Sequence, residues 1–160
     1  MKKRIYVAVF SCLSLLWIIF IWGNSLQRGD VSGAMSGSLT QRINDFFGQF
    51  IDGFYISGYV VRKTAHFLEF ALLALLLCFD YRFIFCINKD SSIKRISALW
   101  LALPTAVAVA CIDESIQLFV EGRVGSITDV LIDSSGALLC TLVFYLVLAV
   151  RKRCSKHASL

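Results

Sequence analysis

Four long apolar stretches constrain this chain more than any other feature of its sequence. They cover about residues 5–23, 66–85, 96–119 and 128–150. Each is close to the ~20 residues that an α-helix needs to cross ~30 Å of hydrocarbon at 1.5 Å per residue. Hydrophobic residues make up 58% of the 160 residues, whereas soluble domains are usually about 45–50% apolar. The sequence therefore predicts an all-α membrane protein, a single domain over residues 1–160 with four transmembrane helices.

Two of these stretches carry features that need separate explanation. The third contains Pro104, which is expected to kink the helix without ending it. The first follows a basic start, Met1 to Arg4, as a secretory signal would. Its apolar run is longer than the roughly 7–15 residues of a signal's apolar region. We therefore interpret it as a helix that is retained.

The positive charges indicate the orientation of the chain in a cell membrane. Of the 16 Lys and Arg residues, eleven lie at the N-terminus, between spans two and three, or after span four, and five lie on the other side. The positive-inside rule then predicts a multi-pass protein with both termini in the cytoplasm. Basic residues in short flanks form no recognition motif, so the net charge of +5 does not indicate nucleic acid as a partner.

A long outer connection over residues 25–61 separates the first two spans. It holds six glycines and no proline, and its apolar residues recur at helical spacing between Gln41 and Tyr59. This pattern predicts an amphipathic helix that either lies in the outer interface or is re-entrant between the spans. A helix that only packs on the bundle as a lid is the alternative interpretation.

Polar groups from all four predicted spans converge at the outer level of the bundle. Ionisable residues at such depths are costly and are functional candidates by default. Measured interhelical polar contacts stabilise a membrane protein by only about 0.6 kcal/mol on average, which is too little to explain so many acids. A binding or catalytic site is therefore favoured over an ion-pair network that only locks the helices together, although that alternative stays open.

Two kinds of chemistry fit these residues. The candidates for catalysis are His66, Glu69, Asp113, Glu114 and Asp133. In the simplest scheme His66 is a general base that Glu69 orients, and Asp113 or Asp133 is an acid or a metal ligand. A divalent cation held by His66, Glu69, Asp113 and Glu114 is a further possibility. The chain has no HExxH motif, so a zinc hydrolase has little support.

The candidates for ligand binding are chosen for their charge and hydrogen-bonding capacity. They are Ser25, Gln27, Arg62, Lys63, Gln117, Arg123, Ser126 and Asp129. Arginine binds phosphate or carboxylate groups through two parallel hydrogen bonds. Ser126 or Thr128 is expected to cap the fourth helix, and a helix N-terminus also stabilises Asp129. Asp133 lies one turn deeper and has no such structural explanation.

These residues carry a resemblance to the VanZ-like family. Arg62-Lys63-x-x-His66-x-x-Glu69-Phe70 resembles the family's second-helix signature. Asp113-Glu114-x-x-Gln117, followed by Gly122-Arg123-x-x-Ser126-x-x-Asp129-Val130 and by Asp133 and Gly136, resembles its second signature. Trp22, Ser25 and Gln27 are similar to the shorter motif after the first helix.

The chain departs from this pattern at Glu121, where the family often has a proline. The resemblance implies a small polytopic membrane protein, and the family's named member is linked to low-level resistance to teicoplanin, a lipid-tailed antibiotic. It leaves the biochemical mechanism open.

Three functions are compatible with these expectations. The first is binding of a lipid-linked or lipid-tailed small molecule at the outer leaflet. The second is an intramembrane enzyme that modifies or hydrolyses an outer-leaflet lipid head group by acid/base or metal-assisted chemistry. The third, a proton-linked transporter, ranks last because the acids lie on one side of the bilayer. The sequence does not indicate an oligomeric state.

Overall fold

The computed structural model describes residues 2–87 and 99–157, and the regular secondary structure of these residues is all helical. The helices are α1 (Lys2–Ser25), α2 (Gly29–Gly48), α3 (Gly58–Ile87), α4 (Ala102–Gln117) and α5 (Ile127–His157). The prediction of an all-α fold is confirmed for these parts of the chain.

Helix α3 is the centre of the bundle and packs chiefly against α5 and α1. Its side chains at Phe70, Leu73 and Ala74 are fully buried, at the spacing of three and four residues that forms one helical face. Small side chains on the neighbouring helices let the backbones approach closely. Those that are fully buried are Ala102, Ala106, Ala110 and Ala137.

Two of the described helices are long and apolar enough to cross a membrane by length and composition. The most apolar 18 residues within Lys3–Ser25 of α1 have a mean hydropathy of 2.4, and those within Ile127–Arg153 of α5 have one of 2.0. Within the most apolar part of each, only 11% and 22% of the residues are buried in the protein. Their apolar side chains therefore point mostly away from the bundle, as lipid-facing residues do. The four-span topology stays a prediction.

The third predicted span differs from a continuous kinked helix. Leu99 is helical, Trp100 and Leu101 form a turn, and α4 starts at Ala102. Pro104 thus lies in the first turn of α4, where its missing N–H breaks no helical hydrogen bond. The helix is therefore interrupted just before the proline. Residues 96–98 of the predicted span lie outside the described residues.

The helix of the outer connection lies earlier in the chain than the sequence pattern predicts. It begins at Gly29 and ends at Gly48, so the predicted bounds Gln41–Tyr59 are wrong. The Asn44 side chain binds both the N–H and the carbonyl of Ile56, at 2.8 and 3.0 Å. These two bonds turn the chain back after α2, and Gly53 adopts a φ of 73° within this turn. Helix α2 packs chiefly on α3.

Helices α1, α3, α4 and α5 alternate in direction, so polar residues gather at one end of the bundle. The end of α1, the start of α3, the end of α4 and the start of α5 meet there. We call this the polar end, and its central residues are Ser25, His66, Asp113 and Asp133. Towards the opposite end, the Ser11 hydroxyl of α1 donates to the Asp80 carboxylate of α3 at 2.8 Å.

Candidate functional site

A network of hydrogen bonds around Gln117 joins α1, α4 and the start of α5. The Ser25 hydroxyl donates to Asp113 Oδ2 at 2.8 Å, and Gln117 Nε2 lies 3.0 Å from the same oxygen. The Gln117 amide is also 3.2 Å from Glu114 Oε1. The other oxygen of Glu114 accepts from the Ser126 N–H at 2.8 Å. Glu114 and Gln117 therefore have a structural role, because they fasten the end of α4 to the start of α5.

Lys63 in the second turn of α3 and Asp129 in the first turn of α5 form an ion pair. Both side chains are only 15% exposed, so solvent screens this pair less than a surface pair. Ser126 precedes α5, and its hydroxyl accepts from the Thr128 N–H at 3.2 Å. This contact confirms Ser126 as the cap, and Thr128 lies inside the helix. Lys63 and Asp129 neutralise each other within the protein.

Arg123 fixes the α4–α5 loop to the end of α1. Its Nε donates to the Gln27 carbonyl at 3.1 Å, and its Nη2 donates to the Asn24 carbonyl at 2.9 Å. Burial, and secondly the charge of Arg62, lowers the pKa of the Arg123 guanidinium from its ordinary value. Gln27 thus contributes its backbone to this contact.

The loop that contains Arg123 packs closely against the start of α2, and Glu121 takes part in this contact. The Gly29 N–H donates to the Glu121 carbonyl at 3.0 Å. Gly122 follows with a φ of 75°, a conformation that favours glycine. A Cβ on Gly29 would overlap the Gly122 carbonyl, so both glycines are required for the close approach of α2 to this loop.

His66, Asp113 and Asp133 form a second cluster with a different character. One possible ligand atom from each residue lies within 4.8 Å of the others. Both aspartates are 0% exposed. Among the described residues, His66 Nδ1, Asp113 Oδ1 and both carboxylate oxygens of Asp133 have no hydrogen-bond partner. Buried polar atoms are nearly always paired, so this cluster has no structural explanation of its own.

The Asp133 carboxylate lies beside the His66 imidazole. His66 Nδ1 and Asp133 Oδ1 are 3.8 Å apart. Glu69, which the sequence suggests as the orienting residue, instead lies 3.5 Å from the Asn24 amide through Oε1. The expected pair of His66 and Glu69 within α3 is therefore not observed. His66 instead lies beside Asp133 of α5.

A cavity of about 340 Å³ opens between α2 and the ends of α1 and α3. Arg62, His66 and Glu69 all line it, as expected from their shared helical face. Arg62, His66 and Arg123 also line a second space of about 170 Å³ beside the α4–α5 loop, together with Asp129. His66 thus connects the buried aspartates with two accessible spaces.

A comparison with protein-family models shows the family of the chain. Residues 10–148 match the family model described as VanZ/LLP1. The chain belongs to the VanZ/LLP1 family. Membership confirms the resemblance and indicates a membrane protein linked to teicoplanin resistance. No curated protein and no solved structure matches the chain.

Most residues of the candidate site lie in the motifs quoted from the sequence, but sequence reasoning missed several others. Asn24 contacts both Glu69 and Arg123, and its position beside Ser25 was the available signal. Ser32 and Ser36 of α2 line the larger cavity. Their spacing of four residues places both on one helical face, but that signal needs the correct bounds of α2.

Proposed function

We propose that this VanZ/LLP1 protein is a multi-pass protein of the cell membrane that binds a lipid-linked or lipid-tailed small molecule at its polar end. In this proposal both termini are cytoplasmic and the polar end faces the outside. The distribution of Lys and Arg supports the orientation. The observation that carries the proposal is the cavity of about 340 Å³ in which basic and hydroxyl-bearing side chains converge.

The lining of this cavity suits a head group with a phosphate or carboxylate. Arg62 and Arg123 supply positive charge, while Ser32 and Ser36 supply hydroxyl groups. A guanidinium has five N–H donors, and the two carbonyls bound by Arg123 leave the others available. Among the described residues, no ion pair engages Arg62. Arg62 is therefore the best-placed side chain to bind an anion.

The apolar side of the cavity suits the lipid part of the ligand. Met35 and Leu39 line the cavity, and they are 57% and 48% exposed. Leu26, at the end of α1, is 63% exposed. A head group between Arg62 and Arg123 can therefore continue into a chain that lies along apolar protein surface and remains in the bilayer. Teicoplanin and lipid-linked cell-wall precursors both have this construction.

A susceptibility experiment tests the consequence for resistance. Cells producing equal amounts of the wild type, Arg62→Gln, Glu69→Gln or no protein are compared for teicoplanin susceptibility, with vancomycin as the reference glycopeptide. The expected result is teicoplanin protection by the wild type that Arg62→Gln and Glu69→Gln reduce. Arg42→Gln, an exposed basic position on α2, is the matched control and should protect fully. Equal susceptibility with and without the wild type would contradict the resistance role.

A second candidate function is an intramembrane enzyme that acts on an outer-leaflet lipid head group. The observation that favours it is the unpartnered His66 beside the buried Asp133, because a general base needs a free nitrogen. Purified protein in vesicles of outer-leaflet lipids should then change a head group over time, and His66→Gln should stop the change. Lipids that stay unaltered with the wild type would exclude this alternative.

A further inference from the structure

Three helices contribute the residues of the unpartnered cluster at the polar end. His66 comes from the third turn of α3, Asp113 from the last turns of α4 and Asp133 from the second turn of α5. Each offers one nitrogen or carboxylate oxygen, and these atoms lie within 4.8 Å of one another. Two atoms bound to the same ion at about 2.0–2.2 Å lie at most about 4.4 Å apart, so small side-chain shifts would bring these three atoms to ligand distances.

Both hydrogen bonds of the Asp113 side chain go to the same carboxylate oxygen. Oδ2 accepts from Ser25 at 2.8 Å and lies 3.0 Å from Gln117 Nε2. Oδ1 is buried and has no hydrogen-bond partner among the described residues. Metal-binding carboxylates are commonly oriented in this manner, with one oxygen held by hydrogen-bond donors from neighbouring residues. Ser25 and Gln117 therefore hold Asp113 with its free oxygen available to a ligand.

When Asp113 and Asp133 are both ionised, the cluster needs a positive partner that the described side chains around it do not supply. Asp113 and Asp133 are both fully buried, and two carboxylates taken out of water repel each other and lose solvation. Lys63 is paired with Asp129, and the Arg123 guanidinium donates hydrogen bonds to two backbone carbonyls. The imidazole of His66 lies 3.8 Å from Asp133, too far for a hydrogen bond. A divalent ion would balance both carboxylates at once.

We propose that His66, Asp113 and Asp133 form a binding site for a divalent transition-metal ion of the Mn²⁺ or Zn²⁺ type. One imidazole and two carboxylates are ligands that both ions accept. Three protein ligands leave a coordination position open, as in catalytic metal sites. His66 also lines the cavity of about 340 Å³, which gives the ion a path of entry. The site stands independently of the proposed ligand, because metal binding is measurable without it.

The set differs from the cation site that the sequence suggests, in which Glu69 and Glu114 replace Asp133. Glu114 has both oxygens engaged, one by the Ser126 N–H and one by the Gln117 amide. Glu69 lies against Asn24. These contacts leave Asp133 as the carboxylate that is free to bind.

The test is a metal titration of the purified full chain after treatment with a chelator. Binding of Mn²⁺ is followed by the loss of the free-ion electron paramagnetic resonance signal, and Zn²⁺ by competition. The expected result is one ion per chain in the wild type. Asp133→Asn and His66→Gln should each weaken binding by about tenfold or more, since replacing even a residue that only hydrogen-bonds to a metal ligand typically costs about 10–100-fold in affinity. Asp80→Asn is the matched control, a buried acid on α3 about 21 Å along the helix from His66.

Failure of either ion to bind the folded wild type overturns the inference, and so does unchanged affinity in both variants. Circular dichroism and gel filtration establish that each variant is folded. If Asp133→Asn does not fold, His66→Gln and the wild-type stoichiometry still decide the question. A wild type that binds the lipid-linked ligand but no metal would overturn this inference alone, whereas metal binding without ligand binding would contradict only the proposed function.

Discussion

Buried carboxylates at the polar end fall into two kinds, those with hydrogen-bond partners and those without. Glu114 and Asp129 belong to the first kind, because Ser126 and Lys63 bind them across helices. Asp133 belongs to the second, with both oxygens unpaired among the described residues. The two interpretations of the polar residues, a structural network and a site, therefore apply to different members of the same cluster.

Replacing Gln117 should destabilise the protein, because its amide serves two buried carboxylates. Gln117→Ala leaves oxygens of Asp113 and Glu114 short of a donor. An unsatisfied buried acceptor costs about 1–3 kcal/mol, and the free energy of unfolding in detergent should fall by that order. Ser115→Ala on the exposed side of α4 loses only a bond to the Cys111 carbonyl and is the control. Equal stability of the two variants would contradict the network.

Replacing Asp133 should have the opposite effect on stability in the metal-free protein. Asp133→Asn removes a buried charge and adds an amide that can donate to Asp113 Oδ1 or His66 Nδ1. We expect the free energy of unfolding in chelator to rise by about 1 kcal/mol, as when one buried donor–acceptor pair is formed. Thermal unfolding with chelator measures this change, with Asp80→Asn as the comparison. A large loss of stability would instead assign Asp133 a structural role.

The helical faces of single residues could be predicted, but their partners could not. The spacing of Arg62, His66 and Glu69 correctly placed all three around one cavity. The predicted pairing of His66 with Glu69 was wrong, because the carboxylate beside the imidazole is that of Asp133. Spacing along one helix determines a face, whereas contacts across helices depend on distances that no single helix encodes.

The contact of α3 with α5 depends on a glycine. A Cβ at Gly136 would overlap the carbonyl of Phe67 on α3. Gly136→Ala is therefore expected to lower the free energy of unfolding by about 1–3 kcal/mol, the usual cost of overpacking. Gly33→Ala on α2 is the control, because a Cβ there meets nothing within 4 Å. The control should be neutral or more stable by up to about 1 kcal/mol through helix propensity. A stable Gly136→Ala protein would contradict the α3–α5 packing.

The bounds of α2 show where element prediction fails. The phenylalanines beyond Gly48 continue the helical period, but Asn44 binds the backbone at Ile56 and turns the chain back. The glycines at 33 and 37 lower helix propensity, yet both are part of α2. Tertiary contacts outweigh propensity in both cases. Pro104 was expected to kink the third predicted span without ending it, but the helix is interrupted before the proline, at Trp100 and Leu101.

The orientation of the whole molecule can be tested with reporter fusions. Green fluorescent protein at the C-terminus should fluoresce, since the proposal places this end in the cytoplasm. Alkaline phosphatase fused after Gly122 should be active, because the α4–α5 loop is expected outside. The same phosphatase fused after Arg153 should be inactive and serves as the control. Phosphatase activity in the reverse pattern would invert the proposed topology.

Hydropathy predicted the membrane class of the molecule better than the number of its spans. Helices α1 and α5 are long and apolar enough to cross a membrane. Helix α4 has 16 residues and extends only about 24 Å, which is less than the thickness of the hydrocarbon core. Its last turns hold Asp113, Glu114 and Gln117, which reduce the apolar signal. The residues that build the site thus weaken the pattern that identifies a span.

Direct binding to the purified protein in lipid nanodiscs tests the central claim, that the polar end binds a lipid-linked or lipid-tailed ligand. Teicoplanin and a lipid-linked cell-wall precursor are titrated against the wild type, Arg62→Gln and the control Arg42→Gln. We predict saturable binding of at least one of them to the wild type and to Arg42→Gln, with affinity reduced about tenfold or more in Arg62→Gln, as a charged hydrogen bond of about 1.5–3 kcal/mol requires. No binding to the wild type, or equal binding to all three proteins, would contradict the claim.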